Sequence, residues 1–245
     1  MVAQEALFDR ARTLLRSASR VLVMTGAGMS AESGVPTFRG PGAHWRGKHF
    51  SELATPTAFA ENPRLIWDWY LYRRTVVANC APNAGHIALA EWARTHKDVV
   101  LITQNVDGLH ERAGHPDVLR FHGSLWYNRC TSCGKEREDH SLVYPSLPRS
   151  PCCDAPERPA IVWFGEAIPS CVHLNVLVKL VDAQVLMVIG TSGRVQPATS
   201  LVTVARVFSI TVVHVDIVVP DTQEFETDVV LQESSAQLLP RLFSY

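Results

Sequence analysis

The chain has 245 residues, of which 47% are apolar and 19% are charged, and its formal net charge is −1. This composition is typical of a globular protein, and the balanced charge excludes a chain that is strongly basic throughout and binds nucleic acid by charge alone. No apolar run reaches the about 18 residues that a membrane span needs. We therefore expect one domain over residues 1–245, with a sizeable core and with neither nucleic acid nor a membrane as partner.

The start of the chain predicts an amphipathic helix rather than a signal peptide, because it lacks a continuous apolar segment. Its apolar side is formed by Ala6, Leu7, Ala11, Leu14 and Leu15. An organellar transit peptide is the weaker alternative, since Glu5 and Asp9 are acidic. We expect a cytoplasmic protein and a monomer. In that compartment cysteines are metal ligands or free thiols rather than disulfides.

Short apolar segments predict four buried strands, over residues 21–25, 99–103, 185–192 and 210–219. Helical patterns over 83–95 and 195–208 lie between them. Strands that alternate with helices predict an α/β fold, a Rossmann-like parallel sheet with helices on both faces. In such sheets ligands bind at the carboxyl ends of the strands, where this sequence has polar residues.

Two segments depart from this alternation. Residues 129–160 contain four cysteines, several prolines and few apolar runs, and they predict a small insert without a core of its own. Residues 40–80 are rich in proline and aromatic residues, and they predict a helical flap over the sheet.

The first predicted strand runs into the turn Gly26-Ala27-Gly28. A glycine turn between a strand and a helix can present backbone N–H groups to a pyrophosphate. A plain strand-to-helix turn is the alternative, because the pattern alone is common.

A polar cluster, Gln104-Asn105-Val106-Asp107, follows the second predicted strand. The amides offer both donors and acceptors, which suit a ribose or a carboxamide, and Asp107 can accept from a carboxamide. Alternatively, Asp107 only caps a helix. Further along, His122 lies between an aromatic residue and a glycine, where it is a candidate general base near neutral pH or a structural histidine.

Four cysteines of the insert have a separation that suits one structural, tetrahedral zinc ion: Cys130, Cys133, Cys152 and Cys153. The second pair is irregular, because Ser150 stands where a Cys-x-x-Cys partner is expected, and adjacent cysteines reach one ion with difficulty. A degenerate site without metal is the alternative. We expect Cys80 and Cys171 to be buried thiols.

The segment 67–74 contains Tyr70 and Arg73. In a helix these two residues share a face, and a phenol beside a guanidinium can bind a carboxylate. The alternative is a surface helix with its arginine in solvent.

Taken together, the motifs resemble those of the sirtuins, the NAD-dependent protein-lysine deacylases. They occur in family order: GAGMSAESGVPTFRG, TQNVDGLH, FHGS, the Cys-x-x-Cys pair, VWFGE (162–166) and GTS (190–192). The pair Tyr70-x-x-Arg73 and the stretch LATPTAFAENP resemble the class III branch, which removes acidic acyl groups such as succinyl and malonyl. In that stretch, Ala54 would leave room for a longer acyl chain.

The resemblance implies NAD as cofactor, one structural zinc and acyl-lysine proteins as substrates. It implies NAD-binding roles for Gly26, Ala27, Gly28, Glu32, Phe38, Arg39, Gln104, Asn105, Asp107, Gly190, Thr191, Ser192 and Asp216. It implies substrate-binding roles for Ala54, Tyr70, Arg73, Val162, Trp163, Phe164 and Gly165, the VWFG residues lining a groove for the peptide.

By the same resemblance, the acyl oxygen attacks the ribose C1′ and nicotinamide leaves. Asn105 and Asp107 would orient the nicotinamide and the ribose, and His122 would act as general base on the ribose hydroxyls. Phe38 and Arg39 would shield the reacting sugar from water. The products would be free lysine, nicotinamide and an O-acyl-ADP-ribose. The alternatives are a plain deacetylase, a mono-ADP-ribosyl transferase, and an NAD-binding module without turnover.

Overall fold

The computed structural model describes residues 2–37, 43–96, 98–191, 198–218 and 227–244. Within these ranges the helices are α1 (Val2–Ser17), α2 (Ala27–Ala31), α3 (Phe50–Leu53), α4 (Pro56–Glu61), α5 (Pro63–Ala78), α6 (Ala84–Thr95), α7 (Leu109–Arg112), α8 (Ser170–Val181), α9 (Ala198–Val207) and α10 (Ser235–Phe243). The strands are β1 (Val21–Thr25), β2 (His44–Trp45), β3 (Lys48–His49), β4 (Val99–Thr103), β5 (Val118–Arg120), β6 (Gly123–Cys130), β7 (Glu136–Glu138), β8 (Glu157–Ile161), β9 (Val185–Ile189), β10 (Thr211–Val215) and β11 (Val229–Leu231).

Six parallel strands form the central sheet, in the order β11-β10-β9-β1-β4-β5. Strand β1 shows why these apolar segments form it. Val21 and Val23 pack into the core on one face, while Leu22 and Met24 pack into the core on the other. A strand buried on both faces is apolar at every position, which is the pattern of a parallel sheet covered by helices. The predicted fold class is confirmed.

Strands β9 and β10 end earlier than the sequence predicts. Strand β9 stops at Ile189 because Gly190 adopts a φ of +60°, in the left-handed region. Strand β10 stops at Val215, since the carboxylate of Asp216 accepts a hydrogen bond from the N–H of Val218 and the chain turns. Both endings put polar or backbone groups at the carboxyl edge of the sheet.

Helices cover both faces of the sheet. Helices α1, α6 and α10 contribute to the core on one face, and α8 and α9 to the core on the other. On the first face, the rings of Trp92 and Phe243 stack with their centroids 4.3 Å apart. Among the described residues, no helix combines the length and the apolar content that crossing a membrane requires.

The segment predicted as a helical flap contains the hairpin of β2 and β3, followed by α3, α4 and α5. Helices α4 and α5 each begin with a side-chain cap and a proline. Thr55 accepts from the N–H of Ala58 and Asn62 accepts from the N–H of Leu65. Aromatic side chains form a third core beneath these helices, including Phe50, Trp67, Trp69, Tyr70 and Trp163.

The cysteine-containing insert is built on an antiparallel sheet in the order β7-β6-β8. Helix α5 is tied to this sheet by Arg74, whose side chain is completely buried. The guanidinium donates five hydrogen bonds, to Leu125 O (2.7 Å), Asn128 Oδ1 (2.8 Å), Ser141 O (3.0 Å), Asp139 Oδ1 (3.1 Å) and Tyr144 Oη (3.2 Å). A buried cation is stable only when its donors are satisfied in this way.

We predict that Arg74→Lys destabilises the fold by about 3–5 kcal/mol, because an ammonium has three donors and cannot reproduce the planar set of five bonds. Urea unfolding measures this difference. The matched control is Arg64→Lys on the same helix, where the arginine side chain is 51% exposed and pairs with Asp68. That change should cost less than about 1 kcal/mol. Equal small effects at the two positions would contradict the role of Arg74.

Candidate functional site

The site begins where two glycine turns meet at the carboxyl edge of the sheet. The N–H of Gly28 donates to the carbonyl of Gly190 at 2.8 Å, and the N–H of Gly26 donates to Ile189 at 2.9 Å. A Cβ on Gly190 would lie 2.3 Å from the nitrogen of Met29, so only glycine fits there. The glycines of the first turn therefore serve the contact with the second turn.

This contact changes which groups of the turn face a ligand. Because Gly26 and Gly28 use their N–H groups inside the protein, Ala27 is the remaining donor of the predicted pyrophosphate turn. Ala27 opens helix α2, and the first N–H groups of a helix have no acceptor within it. Such a group can bind an anion.

The two amides after β4 lie against these turns. Asn105 donates from Nδ2 to the carbonyl of Gly26 at 2.9 Å and to the hydroxyl of Ser30 at 3.1 Å. Gln104 donates from Nε2 to the hydroxyl of Thr191 at 3.3 Å. The structure thus brings together residues that lie as much as 87 positions apart in the sequence.

Asp107 is a buried carboxyl group, with 3% of its surface exposed. Burial raises its pKa, and the hydrogen bonds that it accepts from the N–H of Leu109 and from Ser30 lower it in part. The contact with Leu109, at 2.8 Å, orders the start of helix α7. The N-cap of α7 is Gly108, so Asp107 is not the helix cap that the sequence left open as an alternative. Its carboxylate binds the N–H of Leu109 from one residue before the cap, and it shares Ser30 with Asn105.

His122 follows strand β5, and its ring is oriented by the backbone. Its Nδ1 lies 3.1 Å from the carbonyl oxygen of Gln104. Since a carbonyl only accepts, Nδ1 is assigned the proton, and Nε2 is left with its lone pair. Burial lowers the pKa of His122, and the bond to Gln104 offsets only part of this effect. The imidazole is therefore neutral at pH 7, as a general base must be.

Sequence reasoning missed a buried polar group behind the amides. Nε2 of His86 lies 3.4 Å from Ser30, Nε2 of His110 lies 2.9 Å from Thr25, and the two rings are 4.8 Å apart. Burial lowers the pKa of His86 to about 4, so the group is uncharged at pH 7. Ser30 and His110 belong to the recognised motifs, and this membership was the only sequence signal that could have pointed to the group. His86 lies in a separate helix and gave none.

Two of the residues predicted to bind the acyl group, Tyr70 and Arg73, lie on the buried side of α5. Tyr70 is 1% exposed, and its hydroxyl accepts from Nε1 of Trp163 at 2.8 Å. Arg73 is also buried and lines a crevice with Val35, Phe50 and other residues. The interpretation of Arg73 as a solvated charge on a surface helix is wrong, because α5 carries it inward.

The strand-like segment after β8 connects the two ends of the site. The N–H of Val162 donates to the carbonyl of His122 at 3.0 Å, and the N–H of Phe164 donates to the carbonyl of Ala54 at 2.9 Å. Phe164 is 46% exposed, but Trp163 is only 2% exposed. Trp163 therefore does not line an open groove, contrary to our expectation, because its indole points into the core.

Several residues that were predicted to bind NAD or substrate make their contacts elsewhere in the structure. The carboxylate of Glu32 accepts from the N–H of Ala236 at 3.3 Å, and that of Asp216 accepts from the N–H of Val218. Gly165 adopts a φ of +87° in the turn after Phe164. Three further predicted NAD-binding residues lie outside the described residues: Phe38, Arg39 and Ser192.

The four cysteines of the insert form one cluster. All four sulfur atoms lie within 4.8 Å of one another: Cys130, Cys133, Cys152 and Cys153. Zinc with about 2.3 Å bonds to four thiolates needs sulfurs at such separations, so the residues fit the ion. The adjacent cysteines both reach the cluster, because Sγ of Cys152 lies 2.9 Å from that of Cys133 and Sγ of Cys153 lies 3.3 Å from that of Cys130. Cys80 is buried as expected, but the expectation for Cys171 is wrong, since it is exposed at the start of α8.

Comparison with known proteins agrees with this arrangement. A model of the Sir2 family matches residues 26–197. A relative from Pyrobaculum aerophilum, named NAD-dependent protein deacylase 2, is 43% identical over 229 residues, which cover 94% of this chain and 92% of the relative.

Two solved structures share the fold over nearly the whole chain. The crystal structure of a Sir2 homolog–NAD complex has a TM-score of 0.90 at 38% identity, and the match covers 96% of this chain and 92% of that one. A mutant Sir2 homologue in complex with 2′-O-acetyl ADP ribose has a TM-score of 0.89 at 38% identity, covering 96% and 94%.

We predict about one zinc ion per chain in protein purified without chelator, and loss of that zinc in Cys152→Ser, because a serine hydroxyl is a poor zinc ligand. Metal analysis by mass spectrometry gives the stoichiometry. The exposed Cys171 provides the matched control, since Cys171→Ser should retain full zinc content. A folded, active sample without zinc would show that the cluster has lost its metal function.

Proposed function

The chain belongs to the Sir2 family, and from this premise we propose that it is an NAD-dependent protein-lysine deacylase that prefers acidic acyl groups such as succinyl and malonyl. The observation that carries the preference is the burial of Arg73 beside Tyr70 under helix α5. A buried cation at the acyl end of the site favours an acyl group that ends in a carboxylate.

The sheet edge fits a dinucleotide. Its close-packed glycine turns leave the N–H of Ala27 as a donor, and the amides of Gln104 and Asn105 offer hydrogen-bonding groups. When bound, NAD supplies a ribose whose bond to nicotinamide is broken in the reaction. Ala27 would hold the pyrophosphate, and Asn105 and Asp107 would orient the nicotinamide end.

His122 would act at the ribose hydroxyls. Its Nδ1 is held by the carbonyl of Gln104, which directs the ring and leaves Nε2 to accept a proton. The lowered pKa keeps Nε2 unprotonated at neutral pH. Deprotonation of a hydroxyl by Nε2 is the contribution that we assign to this residue.

At the acyl end, Arg73 lies among aromatic rings. Its Cζ is 5.3 Å from the ring of Trp69, 5.7 Å from that of Tyr70 and 6.0 Å from that of Phe50. Burial lowers the pKa of Arg73, while Tyr70 and Asp107 raise it in part. The charged form is thus poorly solvated, and a substrate carboxylate would stabilise it. A methyl group from acetyl-lysine would not.

A plain deacetylase is the second candidate. The Sir2 homologue solved with 2′-O-acetyl ADP ribose shows that a protein of this fold binds the acetyl form of the product. An assay of one peptide that carries acetyl-, malonyl-, succinyl- or glutaryl-lysine, with and without NAD, separates the two candidates.

We predict that His122→Ala lowers deacylation by about 10²- to 10⁴-fold, the usual cost of losing a general base, while NAD binding and the fold persist. Turnover measured by mass spectrometry of the peptide, with calorimetry for NAD, checks both parts. Near-normal turnover would remove His122 from the mechanism.

The pH profile gives a second measure of the same prediction. The neutral imidazole is the active form and its pKa is lowered, so kcat/KM should fall only as the pH drops below the ordinary histidine value of about 6.5. His122→Ala should lack this acidic limb. A limb centred well above 6.5 would contradict the assignment.

We predict that Arg73→Met lowers kcat/KM for succinyl-lysine by about 10- to 150-fold, because it removes a buried, charge-assisted contact. Acetyl-lysine should react equally well or better. The control is Arg64→Met on the same helix, at an exposed position. If the succinyl-to-acetyl ratio does not move in Arg73→Met, the preference for acidic acyl groups fails, even for a working deacylase.

A further inference from the structure

Trp163 is held on three sides inside the molecule. Its ring packs against Phe59, with the centroids 5.3 Å apart, and the Cζ of Arg158 lies 3.4 Å from the centroid of the indole. Glu166 accepts a hydrogen bond from the backbone N–H of Trp163 at 2.9 Å. The same carboxylate pairs with both terminal nitrogens of Arg158, at 2.6 and 2.8 Å. The Arg158–Glu166 pair therefore clamps the indole from its face and from its backbone.

The free edge of this clamped ring reaches the acyl end of the site. Nε1 of Trp163 lies 2.8 Å from the hydroxyl of Tyr70, and an indole can only donate. The Tyr70 oxygen is therefore the acceptor in this bond. Its own hydrogen must point away from Trp163. The Cζ of Arg73 lies 5.7 Å from the centroid of the Tyr70 ring, and a side-chain hydrogen bond to Tyr70 is one of the causes that raise the pKa of Arg73. The hydroxyl and the guanidinium are therefore close enough to serve one ligand together.

We propose that Trp163 is a positioning residue, whose indole N–H orients the Tyr70 hydroxyl so that its hydrogen is donated to the distal carboxylate of an acidic acyl group. This inference rests on the proposed function and deepens it. Preference for acidic acyl groups then depends on an indole at this position, and not only on Tyr70 and Arg73. A phenylalanine would fill most of the same space but would leave the hydroxyl unoriented.

A comparison of acidic acyl-lysines with acetyl-lysine separates the proposed role of Trp163 from a general effect on packing. Succinyl- and malonyl-lysine end in a carboxylate that can accept from Tyr70, whereas acetyl-lysine has no acceptor at that place. Loss of the indole N–H should therefore affect only the acidic substrates. General loosening of the aromatic core would affect all of them alike.

Trp163→Phe tests the proposal. We expect kcat/KM for succinyl-lysine to fall about 3- to 10-fold, the size expected for one neutral hydrogen bond, with acetyl-lysine changed less than about twofold. In a Tyr70→Phe background the same substitution should have no further effect on the ratio, because it acts through the hydroxyl. Equal losses on both substrates, or an undiminished effect in the Tyr70→Phe background, would overturn the proposal.

The matched control is Trp67→Phe. This indole is also buried on α5 and donates to the carbonyl of Glu157 at 2.9 Å, away from the acyl end. Its loss should lower stability but leave the succinyl-to-acetyl ratio unchanged. If Trp163→Phe does not fold, Glu166→Gln retains the indole and weakens its clamp, and it should lower the ratio about two- to threefold. An unchanged succinyl-to-acetyl ratio in Glu166→Gln would contradict the proposal.

Failure of this inference is distinguishable from failure of the proposed function. When Arg73→Met shifts the ratio and Trp163→Phe does not, only the role of Trp163 is wrong. When neither variant shifts it, the acidic-acyl preference itself is wrong.

Discussion

The contact between the two glycine turns is the constraint on which the site depends. Because Gly28 and Gly190 approach without side chains, the carboxyl ends of β1 and β9 come close enough to share a backbone hydrogen bond. Asn105 can then reach Gly26, and Gln104 can reach Thr191. A single added methyl group at Gly190 would clash with Met29 and Gly28, and it would separate the strand ends that carry the groups proposed to bind the dinucleotide.

A second constraint is that polar groups inside the protein must be paired. Arg74 satisfies this by bonding to groups from two parts of the chain, strand β6 and the segment 139–144, and it fixes the helical segment on the cysteine-containing sheet. Strand β6 runs from the neighbourhood of His122 to the predicted zinc ligand Cys130. The cysteine cluster and the candidate general base are thus joined by one strand, and a zinc ion bound to the cluster would help to hold that strand in place.

Much of the fold was predictable because its signals are local. Apolar runs such as that of β1 appear in the sequence, since both faces of the sheet are covered. The end of β9 was not predictable, because the left-handed φ of Gly190 is set by its contact with the first turn. The motifs identified His122 and its neighbours, but not the direction in which a side chain points. Trp163 belongs to a recognised motif, and its inward orientation depends on Arg158 and Tyr70, which only the folded chain brings near it.

The two consecutive arginines of α5 have different surroundings. Successive residues of a helix point about 100° apart, so Arg74 enters the polar network of the insert while Arg73 faces the proposed acyl end. The bonds of Arg74 hold the insert, whereas Arg73 contacts the rings of Trp69 and Tyr70. A change at position 73 would therefore alter the proposed substrate preference, whereas a change at position 74 would alter the scaffold, although the two residues are neighbours in the chain.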